Sequence, residues 1–337
     1  MYKMIDGVDV CCSFLLRLSG PVLMAAANAL IGLVTNVYIN TILPRYVRPR
    51  LGIAASCLLF GVGLYLLANI LFNYWACALT SPGFPGDHMD ALEKAELHDA
   101  EQGLAPSGFD GVHGGGSGGG SGGGSGGGSG GGSGGGSGGS SGSGSGGSSG
   151  RGARDVRFCR HCKVPKPSRT HHCSVCKRCV MKMDHHCPWV NNCVGYYNYR
   201  FFVLFLLHLA AGSLVVVLCA LPAFTSDELN ERGNGVLMFV FVLCLSVLLA
   251  LAVFIGWHAY LVATNQTTIE FYINRCDAAD ARRAGHKWAN PFDVGCRGNL
   301  EQVFGRSRVS WLLPSRRRPP GDGIQWPMST TGALHQV

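Results

Sequence analysis

The sequence predicts a mainly α-helical, polytopic membrane protein with four transmembrane helices and a cytosolic two-zinc cysteine-rich domain between helices 2 and 3. Three observations predict it. Only 14% of the 337 residues are charged and 47% are hydrophobic, whereas soluble domains carry about 25% charged residues. The apolar residues concentrate in four stretches, about 14–39, 51–79, 201–224 and 236–261, each longer than the ~20 residues that cross a bilayer. Between the second and third stretches, residues 159–193 gather seven cysteines and several histidines.

Residues 1–79 hold the first two spans and a short loop between them. Arg17 and Pro21 interrupt the first stretch, and Arg17 is close enough to its end to reach the headgroups. No small-residue cleavage site follows the stretch, so it reads as a retained helix. Thr80-Ser81-Pro82-Gly83 stops the second span. Residues 80–113 form a connector whose acidic part, Asp87 to Glu101, suits a short surface helix. Residues 114–150 are almost purely Gly and Ser. Such a composition predicts a flexible coil reaching about 30–35 Å. Residues 151–200 make the cysteine-rich domain, 201–261 the third and fourth spans, and 262–337 a C-terminal tail.

Charge predicts the orientation. Eleven Lys/Arg lie in 151–200 and ten follow Thr264, against Arg45, Arg48, Arg50 and Arg232 in the two short loops. Basic segments stay on the cytosolic side, which puts both termini and the cysteine-rich segment in the cytosol and the short loops in the lumen or exterior. In reducing cytosol, clustered cysteines bind metal rather than form disulfides. A membrane-tethered domain of this kind is not expected to bind nucleic acid. A pore or transporter reading finds no support either, because the spans lack paired charges; His208 and His258 are the ionisable residues within the third and fourth, and each reads as a packed or interfacial histidine.

The cluster runs Cys159-x2-Cys162-x9-His172-Cys173-x2-Cys176-x2-Cys179-x4-Asp184-His185-His186-Cys187-x5-Cys193. Two closed tetrahedral zinc sites need eight ligands. Adjacent His172 and Cys173 cannot easily serve one ion, so the sites interleave. One takes Cys159, Cys162, His172 and Cys179, and the other Cys173, Cys176, His186 and Cys193. One cysteine, Cys187, remains beside a histidine and Asp184. A thiol with an adjacent base, itself oriented by an acid, is the pattern of an activated nucleophile. Spacing alone also allows His185 and His186 to exchange roles. The aromatic run Tyr196, Tyr197, Tyr199, Phe201 and Phe202 leads straight into the third span, which holds the thiol near the bilayer surface and favours a lipid-related substrate.

CRHC, KPSRTHHC, SVCKRC and KMDHHCPWVNNCVGYYNYRFF resemble the cysteine-rich domain of the DHHC-type protein S-palmitoyltransferases. Ser81-Pro82-Gly83 is similar to the family's DPG element, with Ser in place of Asp. Thr267-Thr268-Ile269-Glu270 is similar to its TTxE element. Asn290-Pro291-Phe292, Asn299 and Val303-Phe304-Gly305 are similar to its C-terminal elements. The resemblance covers the spans, the zinc domain and the tail to about Gly305.

It implies a protein-cysteine S-acyltransferase acting in two ping-pong steps. Cys187 takes a long-chain acyl group from acyl-CoA and passes it to a cysteine of a membrane-associated substrate protein. It makes His185 the base, Asp184 its orienter and His186 the zinc ligand. It places Lys166, Arg169 and His171 near the CoA phosphates, with Trp189 where the acyl chain enters the bilayer. The acyl chain is expected in a cavity between the spans, where the small residues Ala210-Ala211-Gly212-Ser213 leave room for longer chains. Family habit implies the Golgi or endoplasmic reticulum, with the plasma membrane as the other option.

Overall fold

The computed structural model describes residues 2–88, 157–224 and 235–329, with side chains from Leu16 onward. Most of the connector, the Gly/Ser segment 114–150, the side chains of Cys11 and Cys12, the loop 225–234 and the last eight residues lie outside the described residues.

Among the described residues, three helical runs are long and apolar enough to cross a membrane: Leu16–Leu79, Tyr199–Phe224 and Gly235–Ala263. The first joins what the sequence divides into two spans. Helix α1 (Tyr2–Val37) continues into a wider-wound segment, Tyr38–Val47, and then into α2 (Arg48–Leu79). The expected short loop at 40–50 is therefore helical. Its physical reason is composition: apart from Pro44, the segment Tyr38–Val47 contains no strong helix breaker, and Ile42, Leu43, Tyr46 and Val47 bury their side chains. The break falls instead at Gly52, whose φ of 80° and ψ of 176° are open to glycine and strained for other residues. The chain doubles back there. Tyr38 donates to the Leu59 carbonyl at 2.9 Å, and a Cβ on Gly63 would meet the Tyr38 ring at 2.6 Å.

Helices α3 (Tyr199–Phe224) and α4 (Gly235–Ala263) complete the bundle. One core joins Ile70, Tyr74, Phe201, Phe202, Phe205, Leu251 and Val262 next to the cysteine-rich lobe. A second joins Val37, Ile42, Val216, Ala220 and Val240 at the far end. Of the packed and interfacial readings open to His208, the structure shows the packed one, with Nδ1 2.8 Å from the Leu204 carbonyl one turn earlier.

The cysteine-rich lobe is three two-stranded antiparallel hairpins: β1 (Arg157–Phe158) with β2 (Pro165–Lys166), β3 (His171–Cys173) with β4 (Arg178–Val180), and β5 (His185–Cys187) with β6 (Asn192–Val194). Strands this short are marginal alone, so metal has to organise the lobe. Two asparagines seat it on the end of α2. Asn192 Nδ2 donates to the carbonyls of Cys77, Ala78 and Thr80, and Asn198 Nδ2 to Cys77, Thr80 and Cys193. The carbonyls of Cys77 and Ala78 are among those that the end of α2 leaves without intrahelical partners. Ser81-Pro82-Gly83 completes the seam: Met181 N–H donates to the Gly83 carbonyl and Tyr197 N–H to the Pro82 carbonyl. Ser81 Oγ accepts from Gly83 N–H at 3.4 Å, a turn that an Asp could also make.

The tail contributes α5 (Thr268–Arg283), α6 (Cys296–Phe304) and the short α7 (Val309–Leu312). Thr267 and Glu270 form a reciprocal capping box at the start of α5. Asn299 is buried and donates to the Ala263 carbonyl at the end of α4 and to Asp293, while accepting from Val294 N–H.

Candidate active site and metal centres

Hairpin register builds both metal sites. β3 sets His172 opposite Cys179, and β5 sets His186 opposite Cys193. Each pair meets a Cys-x2-Cys knuckle, closed by Cys162 N–H on Cys159 Sγ and by Cys176 N–H on Cys173 Sγ. Lys163 and Lys177, each next after a knuckle, turn it with positive φ of 54° and 55°. Two groups of donor atoms result, Cys159/Cys162/His172/Cys179 and Cys173/Cys176/His186/Cys193, with every atom in a group within 4.8 Å of the others.

The donor spacing fits zinc. A tetrahedron with Zn–S of about 2.3 Å and Zn–N of about 2.05 Å has N···S edges of about 3.6 Å and S···S edges of about 3.8 Å. His172 Nδ1 lies 3.6, 3.3 and 4.0 Å from the sulfurs of Cys159, Cys162 and Cys179. His186 Nδ1 lies 3.3 and 3.6 Å from those of Cys176 and Cys193, which are 3.4 Å apart. Both centres have four protein donors, so the two zinc ions they fit are structural.

With His186 turned to the metal, its neighbours turn the other way. His185 Nδ1 is 2.7 Å from Asp184 Oδ2. Asp184 is buried and also accepts from Thr268, from its N–H at 2.8 Å and its hydroxyl at 3.1 Å. Burial alone would raise the Asp184 pKa, but the bond to His185 leads the opposing contributions and holds the carboxyl below its ordinary value. Nδ1 being committed to Asp184, the other ring nitrogen of His185 is left to serve the Cys187 thiol, which lines the same cavity. Burial pushes the imidazole down, yet its bonds to Asp184 and Cys187 reverse this and raise it to about 9. Burial likewise pushes the Cys187 thiol up. The His185 bond, with backbone N–H groups of Val190 and Trp189, brings it below its usual value.

Cys187 opens onto a cavity of about 680 Å³ between the helices. Its wall includes Trp189, Tyr74, Phe202, Phe205, Leu251 and Phe254, and it extends past Gly212 and Ser213 toward Tyr38 and Gly63. Trp189 is 52% exposed at the mouth, where its carbonyl accepts from Tyr74 Oη at 2.8 Å.

Arg169 corrects an expectation. It is 3% exposed, and its guanidinium forks onto Glu270, with Nε–Oε1 and Nη2–Oε2 both at 2.7 Å. The Asn265 side chain and carbonyl take two of its three remaining donors, and Phe292 and Trp326 cover its faces. So occupied, it is withdrawn from any CoA phosphate. Sequence shows a cation but not the partner 101 residues away that buries it. Lys166 and His171 lie half-buried in β2 and β3. Lys182, Asn192, Asn198 and His258 are buried near the site and were not singled out as site residues by the sequence. The asparagines carry no spacing signal, because their partners are backbone carbonyls of a distant helix end.

Two interleaved Cys3His centres, a neighbouring Cys–His–Asp cluster and an apolar cavity thus sit together on one helical bundle. The sequence profile of the DHHC palmitoyltransferase family matches residues 153–275. The chain is 41% identical over 180 residues to probable protein S-acyltransferase 15 of Arabidopsis thaliana, covering 52% of this chain and 70% of that protein. It is 44% identical over 184 residues to probable protein S-acyltransferase 14 of the same plant, 51% and 57% of the two chains. It is 39% identical over 182 residues to palmitoyltransferase ZDHHC15 of Homo sapiens, 52% of each. The matched region thus spans only about half to two thirds of the length of most of these relatives. The chain belongs to the DHHC palmitoyltransferase family, a class of protein S-acyltransferases.

Proposed function

We propose that this protein moves a long-chain acyl group from acyl-CoA to Cys187 and then to a cysteine of a membrane-associated substrate protein. The observation that carries the reading is that the Cys187 thiol and the Asp184-oriented imidazole of His185 line the same apolar cavity.

In the first step His185 takes the thiol proton and the sulfur attacks the thioester carbonyl carbon. The bond from that carbon to the CoA sulfur breaks, and CoA leaves with the proton that His185 returns. In the second step the substrate thiol gives its proton to His185 and attacks the acyl carbon. Cys187 leaves as thiolate and is reprotonated. One thioester replaces another throughout, so no oxidant is needed. Asp184 keeps Nδ1 of His185 occupied, which holds the reactive nitrogen toward sulfur. The zinc ions supply rigidity, tying β3 to β4 and β5 to β6 so that His185 and Cys187 keep their relation.

Lys166 and His171 are the candidates for the CoA phosphates, with Trp189 at the entrance of the acyl chain. The chain is read as four spans, with the fold-back at Gly52 as the lumenal turn. Its termini and zinc domain would then face the cytosol of a Golgi or endoplasmic reticulum membrane. The domains are 1–79, 80–113, 114–150, 151–200, 201–261 and 262–337.

The test is hydroxylamine-sensitive labelling of the purified protein with a clickable palmitoyl-CoA. Label is expected on wild type, absent from Cys187→Ser and reduced in His185→Ala. Equal labelling of all three would assign the label to another cysteine and remove Cys187 from the mechanism.

A further inference from the structure

Helix α4 brings a second histidine behind the site. His258 is 1% exposed. It lies behind the cavity wall, which Phe202 and Phe254 form in front of it. Its Nδ1 is 3.0 Å from the hydroxyl of Tyr199, the first residue of α3. Its Nε2 is buried with no protein hydrogen-bond partner among the described residues.

Phe202 packs against both histidines, and the three rings form a triangle. Its ring centroid is 5.0 Å from that of His185 and 5.2 Å from that of His258, nearly perpendicular to both at 68° and 73°. The two imidazoles are themselves 6.2 Å apart. Phe254 closes the other side of His258, edge-on at 4.6 Å.

We infer that His258, tied to Tyr199, is a positioning residue for His185. The inference rests on the proposed role of His185 as the base. Asp184 fixes one end of that imidazole by a single hydrogen bond, about which the ring is free to tilt. Phe202 limits the tilt from one side, and it can do so only while something holds Phe202. His258 packs against both Phe202 and His185 and so holds the neighbour that limits the tilt. Tyr199 lies three residues before Phe202, on the same face of α3, and its bond to His258 ties that face to α4.

The residue type supports the assignment. A phenylalanine would fill the same space among Phe202 and Phe254 with no buried polar atom to satisfy. The histidine instead keeps an unpartnered nitrogen, which disfavours a purely space-filling role. What it gains is the directional bond to Tyr199, which an apolar ring cannot make.

The experiment measures single-turnover acylation of Cys187 by palmitoyl-CoA in the full-length protein, as wild type, Tyr199→Phe and His258→Phe. Misplacing a catalytic group by a fraction of an ångström lowers the rate without weakening binding. The saturating rate is therefore expected to fall on the order of tenfold in both variants, with the half-saturating palmitoyl-CoA concentration, zinc content and melting temperature unchanged. In a His185→Ala background, His258→Phe should cause no further loss. An equal loss in both backgrounds, a loss that tracks zinc content or melting, or no loss at all would overturn the inference. Should His258→Phe misfold, Tyr199→Phe, which removes one oxygen, gives the same comparison in both backgrounds. Failure of wild type to acylate Cys187 would remove the underlying reading. Acylation indifferent to both substitutions would remove this inference alone.

Discussion

Thr268 grips Asp184 twice, with its N–H 2.8 Å from Oδ1 and its hydroxyl 3.1 Å from Oδ2. The first turn of α5 thereby holds the carboxylate that holds His185. Helix N-termini favour a carboxylate at this place, so the start of α5 and the zinc lobe meet at the residue bonded to His185.

Replacing Thr268 by Val removes the hydroxyl and leaves the amide. A hydrogen bond to a charged group is worth about 1.5–3 kcal/mol. Because Asp184 keeps its other partners, we expect the lower end, about a tenfold fall in Cys187 acylation rate at saturating acyl-CoA. Zinc content should remain two per chain. Single-turnover kinetics with metal analysis checks both, and an undiminished rate would contradict the linkage.

Arg169 and Glu270 predict a stability effect where the sequence suggested a binding effect. Breaking one side of a buried ion pair costs about 3–5 kcal/mol. Arg169→Met should lower the melting temperature strongly, and the half-saturating acyl-CoA concentration of whatever remains folded should not rise. Burial alone would raise the Glu270 pKa, but Arg169 holds it below its ordinary value. A depressed carboxylate contributes stability above its unfolded pKa of about 4.3, and that contribution is lost as pH falls through the lower folded value. The difference in melting temperature between wild type and Arg169→Met should therefore be greatest at high pH and shrink as pH falls, because Glu270, buried without Arg169, takes up its proton at higher pH in the variant than in wild type. A difference that grew as pH fell would contradict the pairing.

Metal removal should be stepwise by site. The two centres share no ligand, yet they interleave through adjacent His172 and Cys173. Cys159→Ser should release one zinc per chain and Cys193→Ser the other, each with loss of hydroxylamine-sensitive label, since structural zinc contributes to folding directly. Metal content by mass spectrometry under native conditions reads the count. Retention of two ions in either variant would break the ligand assignment.

Local features carried most of what could be read before the fold was known. Each ligand set falls within 21 consecutive residues and is built on a Cys-x2-Cys knuckle, which is why the ligands, apart from the choice between His185 and His186, can be read from sequence. Apolar length identifies spans in the same way. The failures are non-local. Gly52, not the 40–50 segment, turns the chain, because Tyr38 docks onto Leu59 and Gly63 and keeps the intervening residues helical. Arg169 looks like a surface cation because nothing near it in sequence reveals Glu270. His258 looks like a packed residue because its neighbours Tyr199, Phe202 and Phe254 come together only when α3 meets α4. Spacing left the roles of His185 and His186 interchangeable. The β5–β6 register pairs His186 with Cys193 and leaves His185 to Asp184.

The cavity makes the last prediction, on chain length. Gly212 lines it about half-way along α3, and a Cβ there would approach Ile70 Cδ1 to 3.2 Å. A side chain larger than methyl has two choices: displace Ile70 or enter the cavity. Overpacking a filled core costs about 1–3 kcal/mol, whereas open cavity offers no such resistance, so the ring of Gly212→Phe should enter the cavity and shorten it. Acyl-CoA substrates of 14, 16 and 18 carbons, compared in wild type and Gly212→Phe, should show preference moving toward 14. Each methylene that no longer fits forfeits about 0.8 kcal/mol of burial, so excluding two of them lowers the relative rate for the longest chain by about tenfold. Gly212→Ala, which adds only the Cβ beside Ile70, should leave the preference near that of wild type. An unchanged 14-to-18 ratio in Gly212→Phe, with its melting temperature preserved, would mean that the chain does not pass this residue.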